Sequence, residues 1–312
     1  MVSESVSGPP RLNGTAATRI LMLHRVQPDT KAAFGLPDCY RMRGTSLTVE
    51  ELARITDLGG PFISLAAVEQ ALSEGQPLPL GTVLTFDDGY REHLDVVTPM
   101  LAERDISATF YIATGLHGDG SRVAAVDAWY WLLDHAVVSM AVVPLPDGSL
   151  YRGRVDTMQS KSEWIGGPPK QALLSAAPDQ QGRMLLALEE ALGVALPRDL
   201  ASELYLRPTE WRALMRSGMR VGAHSVLHPR LTQIESAEQR QEVQESVDMI
   251  RAVDTPVAFA YPDGAYDSDV VDVLRDVGVS SAVTCESAAV GCSADPLRLP
   301  RMFATPAFVA RL

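Results

Sequence analysis

Gly81-Thr-Val-Leu-Thr-Phe-Asp-Asp-Gly-Tyr90 is the stretch that decides the fold, because a largely apolar run ends there in two adjacent carboxylates. The run predicts a buried strand, and the Asp-Gly pair predicts a loop directly after it. Two neighbouring carboxylates at such a place repel each other and lose hydration, a cost usually offset by a cation or a role in proton transfer. The alternative is an ordinary turn or a helix N-cap. The pair predicts a metal site at the end of the strand.

A second stretch, Gly222-Ala-His-Ser-Val-Leu-His-Pro229, supplies further candidate ligands, His224 and His228. Two histidines and one carboxylate can hold a divalent ion and leave positions open for water and substrate. Histidines four residues apart are a weak pattern alone, since they occur by chance on many helices and loops. Together, the two stretches predict Asp88 as the carboxylate ligand and Asp87 as a free base.

With both motifs intact, the chain resembles the polysaccharide deacetylases, the carbohydrate esterases with a NodB-homology domain. The family's first motif reads TFDDG and its second reads H(S/T)xxHP. The resemblance implies an α/β fold, a distorted (β/α) barrel, and a divalent metal on Asp88, His224 and His228. Zinc is the first choice, with Co²⁺, Ni²⁺ or Mn²⁺ as alternatives. It also implies that Asp87 is the general base that activates water, and that the reaction releases acetate from an N-acetylated sugar or glycan.

The stretch from Thr255 to Gly264 is similar to the family's third motif, a strand that ends in a Pro and Gly turn beside the metal. The match is partial, because many members carry an Arg where this chain has Ala260 and an aromatic residue at Asp263. The resemblance implies that the backbone N–H of Asp263 stabilises the oxyanion. Asp263, Tyr261 and Arg301 are assigned to substrate binding. Arg301 is also the candidate replacement for the missing Arg, against the alternative that it is an ordinary surface residue.

The general acid of the family is a His in a late Leu-x-His motif, but no His follows His228 in this chain. An apolar run near the N-terminus, Ile20-Leu-Met-Leu-His-Arg-Val26, ends with His24. This looks like the circularly permuted branch of the family, which carries the acid histidine on its first strand. His24 is therefore predicted to protonate the leaving amine. The alternative is a histidine that only caps the end of the strand.

Length and composition predict one large α/β domain, since the chain has 312 residues, of which 46% are hydrophobic and 21% charged. Strands and helices alternate, and the motifs fall at the C-terminal ends of strands, where α/β barrels place their active sites. The predicted strands are 19–23, 62–65, 82–86, 108–113, 219–222, 257–261 and 280–284, and the predicted helices are 48–56, 66–73, 91–104, 208–217, 236–251 and 267–277.

The alternation breaks at about 116–207, so this segment is predicted to be an insertion. It contains Asp127-Ala-Trp-Tyr-Trp131 and an apparent hairpin at 142–152 that turns at an Asp-Gly pair. Trp129 and Trp131 are assigned to substrate binding, because exposed aromatic rings stack on sugars. The alternative is that both rings pack the insertion on the barrel.

Net charge and the N-terminal sequence limit the partners and the location expected for the protein. The formal net charge of −12 argues against nucleic acid, anionic membranes and polyanionic substrates as partners. Residues 1–18 lack the charged and apolar regions of a signal peptide, so they are predicted to be a disordered lead-in to a domain spanning 19–312 in a cytoplasmic protein. No apolar run approaches the roughly 18 residues that span a bilayer. Three cysteines without CxxC spacing indicate neither a disulfide framework nor a cysteine metal site.

Two other functions are also compatible with the sequence. A related metal hydrolase could be a deacylase or deformylase of a small amide, with a lipid-linked glycan, a nucleotide sugar or a natural-product intermediate as substrate. The altered third motif could instead mark a glycan-binding pseudoenzyme, against which the retained Asp and His residues argue. Metal content and turnover distinguish these functions.

Overall fold

The structure is a computed structural model, and it describes residues 17–27, 38–120 and 122–312. Eleven strands lie in this part of the chain: β1 (Thr18–Leu23), β2 (Arg25–Gln27), β3 (Ser46–Thr48), β4 (Gly81–Phe86), β5 (Ala108–Ile112), β6 (Met140–Pro144), β7 (Leu150–Arg154), β8 (Arg220–Ala223), β9 (Ala258–Ala260), β10 (Ser281–Val283) and β11 (Met302–Phe303).

Thirteen α-helices occur in the same described ranges: α1 (Asp38–Arg43), α2 (Val49–Leu58), α3 (Leu65–Ser73), α4 (Thr98–Ala102), α5 (Ala125–Asp134), α6 (Ser162–Gly166), α7 (Pro168–Ser175), α8 (Pro178–Leu192), α9 (Leu200–Leu204), α10 (Pro208–Arg216), α11 (Ser236–Arg251), α12 (Ser268–Asp276) and α13 (Pro306–Val309). A π-helical turn spans His93–Val97, and 3₁₀ turns span Leu231–Gln233, Pro262–Gly264 and Pro296–Arg298.

Seven strands form one sheet in the order β10-β9-β8-β5-β4-β1-β11, and all of its neighbouring pairs are parallel. Every residue of β1, β4 and β5 is buried, as expected for a parallel sheet covered on both faces. The sheet curls into a half-barrel flanked by helices. The predicted α/β barrel fold is therefore confirmed.

Parallel strands place their carboxyl ends at one edge of the sheet, and the predicted site residues lie there. His24 follows β1, Asp87 follows β4 and His224 follows β8. Arg301 immediately precedes β11, whose Met302 pairs with Leu21 in β1, and its long side chain extends to the Asp87 carboxylate at this edge. The topology therefore brings together residues that are far apart in the sequence.

One predicted strand is wrong. Residues 62–65 form no strand, and only Phe62 makes an isolated parallel bridge, to Thr82. Ser64 has extended backbone dihedrals and its hydroxyl accepts a hydrogen bond from the backbone N–H of Ala67, so it is the N-cap of α3. The extended segment before α3 stops at Ser64, because the chain turns into the helix after its N-cap residue and cannot continue the strand pairing.

The helix predicted at 91–104 is divided into the π-helical turn and the short helix α4. The backbone N–H and the hydroxyl of Thr98 both donate to the carbonyl of His93. Pro99 follows and has no N–H to donate, which disfavours a continuous α-helix through this point. The π-helical turn places the Nε2 of His93 2.8 Å from the backbone carbonyl of His24, the residue that follows β1.

The segment predicted as an insertion contributes α5 to α9 and the antiparallel hairpin β6–β7, and no strand of the described sheet comes from it. The hairpin turns at Gly148, where φ is 82°, as its Asp-Gly sequence predicts. Its helices and hairpin share a hydrophobic core centred on Trp129, Trp164 and Leu188. This core is separate from the one between the sheet and helices α2, α10, α11 and α12.

The predicted disordered lead-in lies outside the described residues except for its last two positions, of which Thr18 already belongs to β1. Among the described helices, none has both the length and the apolar character needed to cross a membrane.

Candidate active site

The candidate metal ligands converge at the carboxyl edge of the sheet. One carboxylate oxygen of Asp88, Oδ1, lies 3.5 Å from Nε2 of His224 and 3.5 Å from Nε2 of His228. The ligand atoms of the three residues all lie within 4.8 Å of one another. Two imidazole nitrogens and one carboxylate oxygen form a donor set that suits zinc and related divalent ions.

Unusual backbone conformations occur at two of these ligands and beside the third. Asp88, Ser225 and His228 have positive φ values of 78°, 60° and 58°. Such conformations cost non-glycine residues about 1–3 kcal/mol each and concentrate at functional sites. Gly89 also has φ of 75°, and a Cβ at that position would lie 3.1 Å from the Ile112 side chain. The turn after β4 therefore requires the glycine that follows the two carboxylates.

Glu242 on α11 holds the loop between the two histidines. Its Oε2 accepts hydrogen bonds from the backbone N–H groups of Val226 and Leu227, at 2.8 and 2.9 Å. No motif in the sequence marks Glu242, because it lies on an amphipathic helix beyond the histidine motif. The loop that carries His228 is therefore fixed by a second element of the fold.

The orientation of His224 fits a metal ligand. Its Nδ1 lies 2.7 Å from the backbone carbonyl of Ala260, which can only accept a hydrogen bond. Nδ1 therefore carries the hydrogen, and the lone pair of the neutral ring is on Nε2, the nitrogen that faces Asp88. Because the donor atoms, their spacing and this tautomer agree, the residues present fit a divalent ion.

Arg301 is the partner of Asp87. The Nη1 and Nη2 groups of Arg301 donate to the two carboxylate oxygens of Asp87, each at 2.7 Å. Further hydrogen bonds run from Arg301 to the Thr85 hydroxyl and the Thr284 carbonyl. Arg301 is 1% exposed, so the surface alternative is wrong. Its assignment to substrate binding is also wrong, because every one of these contacts is with the protein and the residue does not border the cavity.

Both carboxylates are ionised at neutral pH. Burial opposes the charge of Asp87, but the Arg301 guanidinium and, after it, His224 keep the pKa of Asp87 below its ordinary value. Burial likewise opposes the charge of Asp88, but the adjacent imidazoles of His224 and His228 hold the pKa of Asp88 far below its usual range. Asp88 can therefore bind a cation, and Asp87 can accept a proton.

We expect Arg301→Met to lower the free energy of unfolding by about 3–5 kcal/mol, because it leaves the Asp87 carboxylate buried without its partner. Arg298→Met is the matched control, since Arg298 is about half exposed and pairs with Asp295 at 3.7 Å. A surface change of this kind costs no more than about 0.5 kcal/mol. Urea unfolding of both variants measures the difference, and equal losses would contradict the proposed burial of the Asp87–Arg301 pair.

His24 borders the same cavity as the metal site, with its ring 5.3 Å from that of Phe303. Among the described residues, the buried Nδ1 of His24 has no hydrogen-bond partner. A positive charge on His24 lowers the pKa of both Asp87 and Asp88, so the three groups interact electrostatically. The Nε2 of His93 lies 2.8 Å from the carbonyl of His24 and donates to it, which fixes the backbone at this position.

A cavity of about 760 Å³ adjoins these residues. One wall is formed by the edge of the sheet, and another by the predicted insertion through Asp127, Tyr130, Lys170 and Leu185. A volume of this size accommodates a sugar ring together with a substituent. The insertion therefore helps to shape the space beside the candidate metal site.

The predicted contact between Trp129 and substrate is wrong. Trp129 has no exposed surface, and its Nε1 donates to the carbonyl of Trp164 at 2.8 Å. Trp131 is half-buried and stacks on His135, with ring centroids 3.9 Å apart, and its contact with substrate stays a prediction. The physical reason is helical geometry, because α5 presents Asp127 to the cavity while Trp129 lies on its opposite face. Trp129 packs in the insertion's own core, whereas Trp131 packs against both that core and the cluster that contains Tyr90 and Ala113, so only Trp131 fits the packing alternative.

Tyr261 and Asp263 border the cavity from the turn after β9. The hydroxyl of Tyr261 donates to the Leu297 carbonyl at 2.7 Å, so its hydrogen is already engaged within the protein. Asp263 has φ of 53°, and its carboxylate accepts a hydrogen bond from Nε of Arg230 at 2.8 Å. The predicted contributions of both residues to substrate binding, and of the Asp263 N–H to oxyanion stabilisation, stay predictions.

Asp127 links the insertion to the first motif, a role that was not predicted from the sequence. The Asp127 carboxylate accepts hydrogen bonds from the hydroxyls of Tyr40, Tyr90 and Tyr205. The guanidinium of Arg25 lies over the rings of Tyr40 and Tyr90, at 4.6 and 4.1 Å. Tyr90 ends the first motif, so this buried network connects α5 to the turn that carries Asp87 and Asp88.

Comparison with known proteins agrees with this arrangement. A model of the family named polysaccharide deacetylase matches residues 80–141 and 180–282, together more than half of the chain. A search of curated proteins found no match.

Several solved structures share the fold. The deacetylase PplD of Streptococcus pyogenes, solved in complex with acetate, is 19% identical, with a TM-score of 0.57 and 93% of each chain covered. IcaB of Ammonifex degensii is 14% identical, with a TM-score of 0.57 and 95% of each chain covered. The BpsB deacetylase domain of Bordetella bronchiseptica is 16% identical, with a TM-score of 0.55, and the match covers 92% of this chain and 96% of that one.

The family match contains four of the residues that converge at the sheet edge, namely Asp87, Asp88, His224 and His228, whereas His24 and Arg301 lie outside it. The match is interrupted at 142–179, within the predicted insertion. From the matched motifs and the shared fold, we conclude that this chain belongs to the polysaccharide deacetylase family.

Proposed function

We propose that this protein is a metal-dependent hydrolase that removes an N-acetyl group from an amino sugar or glycan. The observation that carries the proposal is the position of an ionised, buried Asp87, held by Arg301, beside the set of Asp88, His224 and His228. Membership of the polysaccharide deacetylase family supports the reaction class. A similar fold with a TM-score of 0.55 belongs to a de-N-acetylase of Aggregatibacter actinomycetemcomitans.

Asp88, His224 and His228 would hold the divalent ion, and we propose zinc, with Co²⁺, Ni²⁺ or Mn²⁺ as alternatives. When bound, such an ion supplies Lewis-acid polarisation of the amide carbonyl and promotes ionisation of water. The protein would contribute the fixed orientation of the ligands, through the Ala260 carbonyl at His224 and through Glu242 at the histidine loop.

The remaining chemistry is assigned to three residues of the chain. Asp87 accepts a proton from the attacking water, and the two hydrogen bonds from Arg301 prevent its carboxylate from rotating away. His24 donates a proton to the nitrogen of the breaking C–N bond, so that the sugar leaves as an amine. The backbone N–H of Asp263 donates to the carbonyl oxygen as negative charge develops there. One amide and one water give one amine and one acetate.

A panel of substrates tests the reaction class. The metal-loaded protein is incubated with N-acetylglucosamine oligomers, with N-formyl counterparts and with small acylated amines, and release of acetate or formate is measured. We expect acetate release from the N-acetyl sugars. Preferential release of formate would favour the deformylase alternative, whereas glycan binding without release from any compound would favour the pseudoenzyme.

We expect His24→Gln to lower kcat on an N-acetyl sugar by about 10²–10⁴-fold, because the amine leaves poorly without a proton donor. The loss should be much smaller on an activated aryl acetate, whose leaving group needs no protonation. His135→Gln is the control, since His135 stacks on Trp131 outside the cavity. Equal losses on the amide and the aryl ester, with unchanged metal content, would count against His24 as the acid.

A further inference from the structure

The cavity contains a buried cation that the proposed reaction does not use. Lys170 on α7 is 6% exposed and borders the cavity from the insertion. Its Nζ donates to the hydroxyl of Tyr130 and lies 4.4 Å from the centroid of the Tyr130 ring. Within the described ranges, no carboxylate forms an ion pair with Lys170. Its only described polar contact is therefore neutral.

A second cation lies close to the first. Arg43, at the end of α1, also borders the cavity, and the described residues likewise offer it no ion pair. Burial and, after it, the charge of Arg43 lower the pKa of Lys170 to about 8. Lys170 is therefore still largely protonated at neutral pH. The two like charges face the same space, and their repulsion adds to the cost of burying Lys170.

The nearest acidic groups already have other partners. Asp263 and Asp127 are close enough to raise the pKa of Lys170, so they offset part of its burial. However, Asp263 pairs with Arg230 at 2.8 Å, and Asp127 accepts hydrogen bonds from three tyrosine hydroxyls. Neither carboxylate is within ion-pair distance of Lys170. A buried charge without an opposite charge is expensive, so the arrangement is expected where a ligand supplies that charge.

We propose that Lys170 and Arg43 form a subsite for an anionic group of the substrate, so that the N-acetyl sugar carries a phosphate or carboxylate near its ring. This inference rests on the proposed function, because it places the acetamido group at the metal site and the anion on the insertion side of the same cavity. The net charge of −12 disfavours a long polyanion but not a single anionic group that pairs with Lys170 and Arg43.

The test compares three acetylated sugars that differ in charge: N-acetylglucosamine 1-phosphate, N-acetylmuramic acid and the neutral methyl glycoside of N-acetylglucosamine. We expect the wild-type protein to prefer at least one anionic sugar. Lys170→Met should lower kcat/KM for that sugar by about 10- to 100-fold, as expected for one charge-assisted contact, mainly through KM. The value for the neutral glycoside should stay within about twofold, and Lys170→Arg should retain most of the preference.

Lys161→Met is the matched control. Lys161 is also buried in the insertion, but it pairs with Asp134 at 3.5 Å and does not border the cavity. Its replacement should leave the preference for anionic sugars intact. Arg43→Gln should reduce that preference by less than Lys170→Met, because Arg43 is exposed and its contact is screened by water.

A binding measurement separates this inference from the proposed function. Calorimetry with the product pair, glucosamine 1-phosphate and glucosamine, reports the anionic subsite without turnover. Tighter binding of the phosphate that is lost in Lys170→Met would support the subsite even if no sugar were deacetylated. Equal binding of both compounds, together with deacetylation that does not distinguish charged from neutral sugars, would overturn the subsite and leave the proposed function standing.

Discussion

Asp87→Asn is expected to lower kcat for acetate release by about 10²–10⁴-fold, the usual contribution of a general base. Asparagine has nearly the same shape as aspartate, but its side chain cannot accept the proton of the attacking water. Because Asp87 is not among the three candidate metal ligands, the variant should retain its zinc. Initial rates of acetate release and zinc content, measured on the same samples, give the result.

Asp87→Asn also leaves the buried Arg301 beside a neutral partner, so its stability has to be measured with its activity. Thermal unfolding shows whether the variant is folded at the temperature of the assay. Asp276→Asn is the control, because Asp276 is exposed and pairs with the exposed Arg240. A folded, zinc-containing Asp87→Asn protein with kcat within a factor of about 10 of the wild type would exclude Asp87 as the base.

The second large effect concerns metal binding. Loss of a residue that only orients a metal ligand weakens metal binding by roughly 10–100-fold. We expect Asp88→Asn and His224→Ala each to weaken zinc binding by more than this, because each removes a direct ligand. Activity at limiting zinc should fall with the affinity. Competition between the protein and a chelating dye measures the dissociation constant.

Glu242→Gln provides a graded comparison for these variants. Glu242 is not one of the predicted ligands, but it accepts the hydrogen bonds that hold the loop before His228. Its replacement should weaken zinc binding less than either ligand variant. If Asp88→Asn and His224→Ala kept the zinc affinity of the wild type, the assignment of the metal site would be wrong.

The position of the candidate metal site was predictable because each motif follows a strand directly. An apolar run before Asp87 and another before His224 predict two buried strands, and parallel strands bring their carboxyl ends to one edge. The same reasoning placed His24 after β1. These predictions depend only on local sequence and on the general geometry of parallel sheets.

The environment of Arg301 could not be predicted in the same way. It lies 214 residues from Asp87, and nothing near it distinguishes a buried partner from a surface arginine. Tertiary structure determines the environment of Arg301, because β11 pairs with β1 and thereby brings the Arg301 side chain to the end of β4. A long-range strand pairing of this kind leaves no local pattern in the sequence.

The insertion was the least predictable part of the cavity. Aromatic residues lie on more than one face of α5, so periodicity alone does not show which face meets the cavity. Trp129 is on the inner face of the insertion, whereas Asp127 and Lys170, which belong to no family motif considered in the sequence, reach the cavity. In a segment without a motif, single polar residues become candidate site residues only when the tertiary structure shows that they line the same cavity.

Zinc titration of the metal-free protein tests the central claim most directly, with acetate release from an N-acetyl sugar followed at each addition. The proposed site predicts no release without metal, and a linear rise that saturates at one zinc ion per chain. Asp88→Asn should show neither the saturation point nor the activity. Full acetate release from the metal-free protein, or a titration in which Asp88→Asn behaves like the wild type, would contradict the claim.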